Sequence, residues 1–247
     1  MVDAREITSK QKQIAVSEFF EKNKHFLGFD SLQRSLITAV KESVDNSLDA
    51  CEEARILPNI SVQIDRLKGD EIRLVTQDNG PGIPRDAVEH VFGKFLLGSR
   101  FHAIRQTRGQ QGIGITGVVM YSQLTTGVKT KVTSKIASDS SAVFVDIGLD
   151  TRKNRAIKSR EKRDVWFDDI TGEVVEHGLR IEARMKGKYQ RGKQSVFQYL
   201  RMTSIVNPHA TISLVVRDRD GEVYEQGSWK RTTDKLPRVV EEIKPHP

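Results

Sequence analysis

Glu42 and Asn46 stand four residues apart in the stretch ESVDN. On a helix, that spacing turns both side chains to the same side. A carboxylate there can position a water and take its proton. An amide oxygen is a hard ligand suited to Mg2+, an ion that keeps several waters and meets its substrate through phosphates. The plainer alternative is a solvated polar face. Asp78 opens a second stretch, DNGPGIP, in which Gly80 and Gly82 follow. A buried carboxylate at a strand end can accept a hydrogen bond from an exocyclic amine such as that of adenine, and glycines let the backbone approach a flat ring. Asp-Asn-Gly-Pro is equally ordinary turn chemistry.

A third stretch, RGQQGIGITG at residues 108–117, fits several phosphate-loop templates. Gly112, Gly114 and Gly117 satisfy GxGxxG, but a dinucleotide fold needs a strand before that loop. The preceding RFHAIRQTRGQQ has no strand character. A kinase loop requires a strand lysine, an HRD-type loop and DFG downstream, and Walker A requires GxxxxGK followed by Ser or Thr. Neither set of strings occurs. Two readings remain. Backbone N–H groups of the loop, joined to a helix N-terminus, hold phosphates, or a glycine-rich turn enters a buried helix.

The elements that must position these residues follow from hydrophobic spacing. Leu36, Val40, Val44, Leu48 and Cys51 recur at helical intervals over residues 31–55, with Ile37 beside them and Asp30 or Ser31 as N-cap. Glu42, Asn46, Asp49 and Glu53 fall on the opposite face. Residues 60–65 and 71–78 alternate apolar and polar around a Lys68-Gly69-Asp70 turn, which predicts a hairpin. The glycines and prolines of DNGPGIP stop the second strand. RDAVEHVFGKF reads as a short helix, residues 96–111 as a long polar loop, and IGITGVVMYS as the start of another helix. Strands are predicted at 123–135, 141–149, 178–185, 211–218 and 222–226, with a helix at 191–207. The order predicts an α+β fold, a two-layer α/β sandwich with helices on one face of a mixed β-sheet.

Composition narrows the function classes. The chain has 247 residues, 40 Lys and Arg against 33 Asp and Glu, and a net charge of +7. That balance favours polyanionic partners. The segment RKNRAIKSREKR at 152–163 either faces a DNA backbone or is a solvated hairpin connection. Cys51 is the single cysteine, which excludes an internal disulfide and fits a reducing compartment. The N-terminal MVDAREITSKQKQ has no apolar signal core. The longest apolar run, near 113–121, is far short of the roughly 20 residues of a membrane span. A cytoplasmic, soluble protein is expected. Residues 1–28, with the patch IAVSEFF, read either as an arm that packs onto something else or as an ordinary first helix. Trp166, His177 and His209 have no partner spacing and read as structural.

Taken together, E-x-x-x-N on a helix, D-x-G-x-G after a strand and G-x-x-G-x-G before a helix resemble the GHKL ATPases. That group includes gyrase, MutL repair proteins, heat-shock chaperones and histidine kinases, and the likeness covers about residues 30–185. Within it, SEFFEKNKHFLGFD, AVKESVDNSLDACEEA, DNGPGIP and KFLLGSRFHAIRQTRGQQGIGI look like the B subunits of type IIB DNA topoisomerases (topoisomerase VI). The resemblance implies a Bergerat-type ATPase domain at 29–235 with ATP and Mg2+ as cofactors. By similarity Glu42 is the general base and Asn46 the Mg2+ ligand. Asp78 reads the adenine amino group, with Gly80 and Gly82 beside the base. Ser99 and Arg100 sit where the ATP lid begins. Gly109, Gln110, Gln111, Gly112, Ile113, Gly114, Ile115 and Thr116 wrap the triphosphate with backbone N–H groups.

The resemblance also implies partners. Residues 1–28 look like the strap that crosses to a second protomer when ATP is bound, giving a nucleotide-dependent homodimer. ATP-driven closure then gates double-strand DNA passage, while a topoisomerase A subunit cuts and reseals the DNA. Many members of the group carry Gly-Thr on a late strand. Here the equivalent is Gly178-Leu179, which leaves base recognition resting more heavily on Asp78. The family's B subunits continue into a transducer domain whose lysine reaches the terminal phosphate. Residues 236–247 are therefore expected to begin a linker to a missing C-terminal part that also binds the A subunit, and weak hydrolysis is expected of this chain alone. Competing readings are a stand-alone GHKL ATPase of chaperone or repair type, a nucleotide-gated dimerisation module with negligible turnover, and a basic nucleic-acid binder.

Overall fold

A computed structural model describes residues 16–93, 114–150, 155–169 and 171–238. In chain order these form α1 (Val16–Leu27), α2 (Leu32–Glu53), β1 (Asn59–Arg66), β2 (Glu71–Asp78), α3 (Arg85–Gly93) and α4 (Gly114–Thr126). There follow β3 (Thr130–Lys135), β4 (Ala142–Asp150), β5 (Arg155–Asp164), β6 (Gly178–Lys186), α5 (Val196–Val206), β7 (Thr211–Arg217) and β8 (Val223–Trp229). The strands make one sheet in the order β5-β4-β3-β6-β2-β1-β7-β8. The β1–β7 pairing is parallel and the others are antiparallel. The sheet is therefore mixed and the class α+β, as the sequence predicts.

Period-two burial sets the face. Ile60, Val62 and Ile64 of β1 are buried and stand in register with Ile212, Leu214 and Val216 of β7. Leu36, Val40, Val44 and Leu48 of α2 join them in the core. The N-cap of α2 is Ser31, whose hydroxyl accepts the Arg34 N–H at 3.3 Å. Residues 116–122 of α4 are all buried, as expected of a helix apolar on every side. Its hydroxyls fasten it to β6, Ser122 donating to the Arg184 carbonyl at 2.7 Å and Tyr121 to that of Lys186 at 3.0 Å. From α1, the fully buried Phe20 meets Phe29 at 5.4 Å between ring centres, and Phe29 meets Tyr121 at 4.9 Å. Of residues 1–28, then, the described helix packs on this chain's own core. Residues 1–15 lie outside the described residues.

Two predicted elements change. The strand expected at 123–135 is helix through Thr126 and strand only from Thr130. Thr125 and Thr126 satisfy their hydroxyls within α4, donating to the carbonyls of Tyr121 at 2.7 Å and Ser122 at 2.8 Å. Gly127, at φ +71°, ends the helix. Of the basic segment, residues 155–163 belong to the edge strand β5 along β4, and residues 152–154 lie outside the described residues. Its cations have local counter-charges, Lys158 on Glu161 at 2.8 Å and Arg160 near Asp146 at 3.8 Å. Charge on an edge strand blocks further pairing. No helix among the described residues is long and apolar enough to cross a membrane.

Candidate active site

Asp78 ends β2 and is 5% exposed. The Ser47 hydroxyl of α2 donates to its Oδ2 at 2.6 Å, and the Gly80 N–H donates to its Oδ1 at 2.8 Å. The backbone of Leu179, its register partner on β6, adds a third hydrogen bond. Burial pushes the carboxyl pKa up, against these three donors and the His177 charge, which pull it down. A carboxylate offers about four lone-pair sites, so one is left for an outside donor. Leu179 contributes backbone only, as its lack of a hydroxyl implies.

The turn after Asp78 is fastened to the sheet. Ile83 and Ser134 exchange two hydrogen bonds, N–H to Oγ at 2.7 Å and O–H to carbonyl at 2.9 Å. At Gly82 (φ +73°) a β-carbon would lie 2.0 Å from the Lys135 carbonyl oxygen. The close neighbour that requires glycine there is β3 backbone. At Gly80 a β-carbon would meet Asp78 Oδ1 at 2.9 Å and the buried Cys51 sulfur at 3.3 Å.

Glu42 lies on the same helix as Ser47, five residues earlier. It is half-buried, and its Oε2 lies 1.9 Å from the position of a β-carbon at Gly114, the first residue of α4. The first turn of a helix carries unsatisfied N–H groups and partial positive charge. Gly114, which opens that turn, therefore sits at the Glu42 carboxylate, and the ESVDN and glycine-rich stretches meet. Burial raises the Glu42 pKa, the nearby Asp45 charge raises it further, and Lys41 opposes both. Asn46, half-buried, makes no side-chain hydrogen bond among the described residues. Ser99, Arg100, Gly109, Gln110, Gln111, Gly112 and Ile113 lie outside the described residues.

Three side chains escaped the sequence reading. Ser47 supports Asp78. Tyr199 of α5 donates its hydroxyl to Asp45 Oδ1 at 2.9 Å, holding the charge that acts on Glu42. His177, read as structural, reaches the Gly80 carbonyl at 2.9 Å. The usable signal was the run Ser35, Ala39, Ser43, Ser47 and Cys51, all buried on α2. Small residues at four-residue spacing mark a helix face that something approaches closely. A cavity of about 640 Å3 beside α5, lined by Ile37, Gln198, Tyr199 and Met202 among others, includes neither Glu42 nor Asp78.

Residues 31–151 match the family described as histidine kinase-, DNA gyrase B-, and HSP90-like ATPase. The chain is 50% identical over 245 residues to the B subunit of type 2 DNA topoisomerase 6 from Methanosarcina acetivorans, covering 99% of this chain and 38% of that one. To the protein of the same name from Archaeoglobus fulgidus it is 48% identical over 242 residues, 98% of this chain and again 38% of the relative. The chain thus spans less than two fifths of the length of these curated relatives. A crystal structure described as the N-terminal domain of a DNA repair protein superposes with a TM-score of 0.53 at 19% identity, over 80% of this chain and 53% of that one. That likeness shows the fold.

Proposed function

The chain is a homologue of the type 2 DNA topoisomerase 6 B subunits along 99% of its length and carries an ATPase domain of the histidine kinase, DNA gyrase B and HSP90 type, and on that footing we propose that it hydrolyses ATP at the α2–α4 site to drive the closure of a DNA-passage gate. The observation that carries this reading is the double use of α2. Ser47 supports the carboxylate of Asp78, and Glu42 abuts the first residue of α4. The two lie about 7.5 Å apart along the helix axis. A nucleotide laid along α2 then has its base at Asp78 and its phosphates at the α4 N-terminus.

Each group has a role in this reading. Asp78 accepts the adenine amino hydrogen at its remaining lone pair. The N–H groups of Gly114 to Thr116 face phosphate oxygens, an arrangement favoured by the helix dipole. Glu42 takes the proton of the attacking water, and its raised pKa brings it nearer to neutrality, where a general base works best. Among the described residues no cluster of three or more His, Cys, Asp or Glu is arranged to hold a metal. A single amide oxygen from Asn46 suits Mg2+, which takes most of its ligands from phosphates and waters. When bound, Mg2+ neutralises phosphate charge and orients the triphosphate. Ser99, Arg100 and the stretch from Gly109 to Ile113, expected from the sequence to touch the triphosphate, lie outside the described residues.

In this reading closure brings two chains together, and a separate A subunit supplies DNA cleavage. This chain times the cycle. Glu42→Gln tests the reading. Single-turnover hydrolysis of Mg-ATP should fall at least about 100-fold, while the affinity for a non-hydrolysable ATP analogue stays within about threefold. Hydrolysis that survives the substitution removes Glu42 as the base.

A further inference from the structure

His177 stands just before β6 and donates through Nδ1 to the carbonyl of Gly80 at 2.9 Å. A carbonyl only accepts, so Nδ1 carries the proton. Gly80 is the residue whose own N–H donates to Asp78 Oδ1. One peptide unit away on each side, then, the turn is gripped by an imidazole and by the carboxylate it presents. The backbone bearing His177 is itself held firmly. Lys135, 7% exposed, donates from Nζ to the Glu176 carbonyl at 2.7 Å. Gly178 pairs with Lys135 in register, and a β-carbon there would lie 2.3 Å from the Asp78 carbonyl oxygen.

We infer that His177 is a positioning residue for base selection: its hydrogen bond fixes Gly80, and through Gly80 the orientation in which Asp78 meets the adenine amine. This rests on the reading of Asp78 as the adenine contact. The rest of the turn shows why one more tie is needed. Ser134 holds Ile83, three residues further on. Between Asp78 and Ile83 the chain carries Asn79, two glycines and one proline, and glycine resists no rotation of its own. Asn79 is tied by its side chain to the Leu57 carbonyl at 3.1 Å and the Asn59 N–H at 2.7 Å, so the imidazole is the tie on the carbonyl of Gly80 itself. Without it the Gly80 peptide can tilt, and the donor that sets the rotation of the carboxylate tilts with it. The affinity for phosphates, held at the α4 N-terminus beside Glu42, is untouched.

The test compares calorimetric affinities of non-hydrolysable ATP and GTP analogues, with Mg2+, for the whole chain. Guanine presents an oxygen where adenine presents the amine, so the ratio of the two dissociation constants reads Asp78 and cancels the triphosphate. His177→Leu should cut that ratio about three- to tenfold, the size of one hydrogen bond, with GTP-analogue affinity unchanged within about twofold. His177→Asn places an amide N–H near the position of Nδ1 and should restore the ratio. A purely structural role would lower thermal stability without moving the ratio, and would not be rescued by asparagine. His177→Gln, whose amide sits one bond further out, replaces the leucine variant if that fails to fold. Asp78→Ala is the reference. If it collapses the ratio and His177→Leu does not, or if asparagine behaves as leucine does, the inference falls and the reading of Asp78 stands. If Asp78→Ala leaves the ratio intact, or the wild type has no preference, both fall.

Discussion

The Oε2 oxygen of Glu42 occupies the space that a side chain at Gly114 would need, 1.9 Å from the β-carbon position. The obstructing atom is the far end of a flexible side chain, so an added methyl moves the carboxylate and leaves the helix in place. Gly114→Ala should therefore lower single-turnover hydrolysis about 100-fold, the scale of an ångström-sized misplacement. Analogue affinity should change little. Combined with Glu42→Gln it should add almost nothing, because both remove the same function.

The pH dependence of hydrolysis should respond to the neighbours of Glu42 with opposite signs. The base works ionised, and its pKa is raised above 4.5 by burial first and the Asp45 charge second, with Lys41 pulling it down. Activity is lost as pH falls through that raised value. Asp45→Asn should shift the acid limb to lower pH, and Lys41→Met should shift it to higher pH. A rate–pH profile of each variant measures the displacement. Shifts of the same sign would contradict the assignment.

The buried carboxyl of Asp78 is held at a cost in stability. Burial raises its folded-state pKa above 3.8 despite donors from Ser47, Gly80 and Leu179. The folded state therefore binds the proton more tightly than the unfolded chain does. The contribution of this group is fully present below pH 3.8 and is lost as pH rises through the folded value. Asp78→Asn keeps the shape without the charge. It should raise the thermal midpoint at pH 7 by about 2–4 °C, the equivalent of about 1 kcal/mol in a chain of this size. That gain should shrink as the pH is lowered towards 3.8.

On the face of the sheet away from the helices, Glu182 shows the opposite sign. Burial alone would raise its pKa, but hydrogen bonds from Arg73 at 2.6 Å and Lys131 at 2.8 Å lower it from 4.5 to about 2. Its contribution is present above pH 4.5 and disappears as pH falls through about 2. Glu182→Gln should destabilise the fold at pH 7 and flatten the fall in stability between those two values, read from urea midpoints across the range. Nucleotide affinity should be unaffected.

How far the sequence discloses this molecule depends on whether a residue's surroundings are local. Leu36, Val40, Val44 and Leu48 advertise α2 because one apolar face suffices, and all four are buried. The β1–β2 hairpin is equally plain from alternation. The edge strand β5 is hidden, since Ala156 is its one buried residue and cations fill most other positions. Thr125 and Thr126 suggest a strand by type, yet their hydroxyls find helix carbonyls. At the site, Glu42, Asn46, Asp78 and the α4 glycines stand out by type and spacing. Ser47, Tyr199 and His177 do not, because each acts on a partner 31, 154 or 97 residues away in sequence. Such pairings exist only once the sheet has closed.

The most direct measurement is calorimetric titration of a non-hydrolysable ATP analogue with Mg2+ into the wild-type chain and into Asp78→Ala. The account predicts binding by the wild type and a loss of about 1–3 kcal/mol in the variant, the cost of leaving a buried polar partner unmatched. Equal affinities would place the base somewhere other than Asp78 and contradict the proposed orientation of the nucleotide along α2.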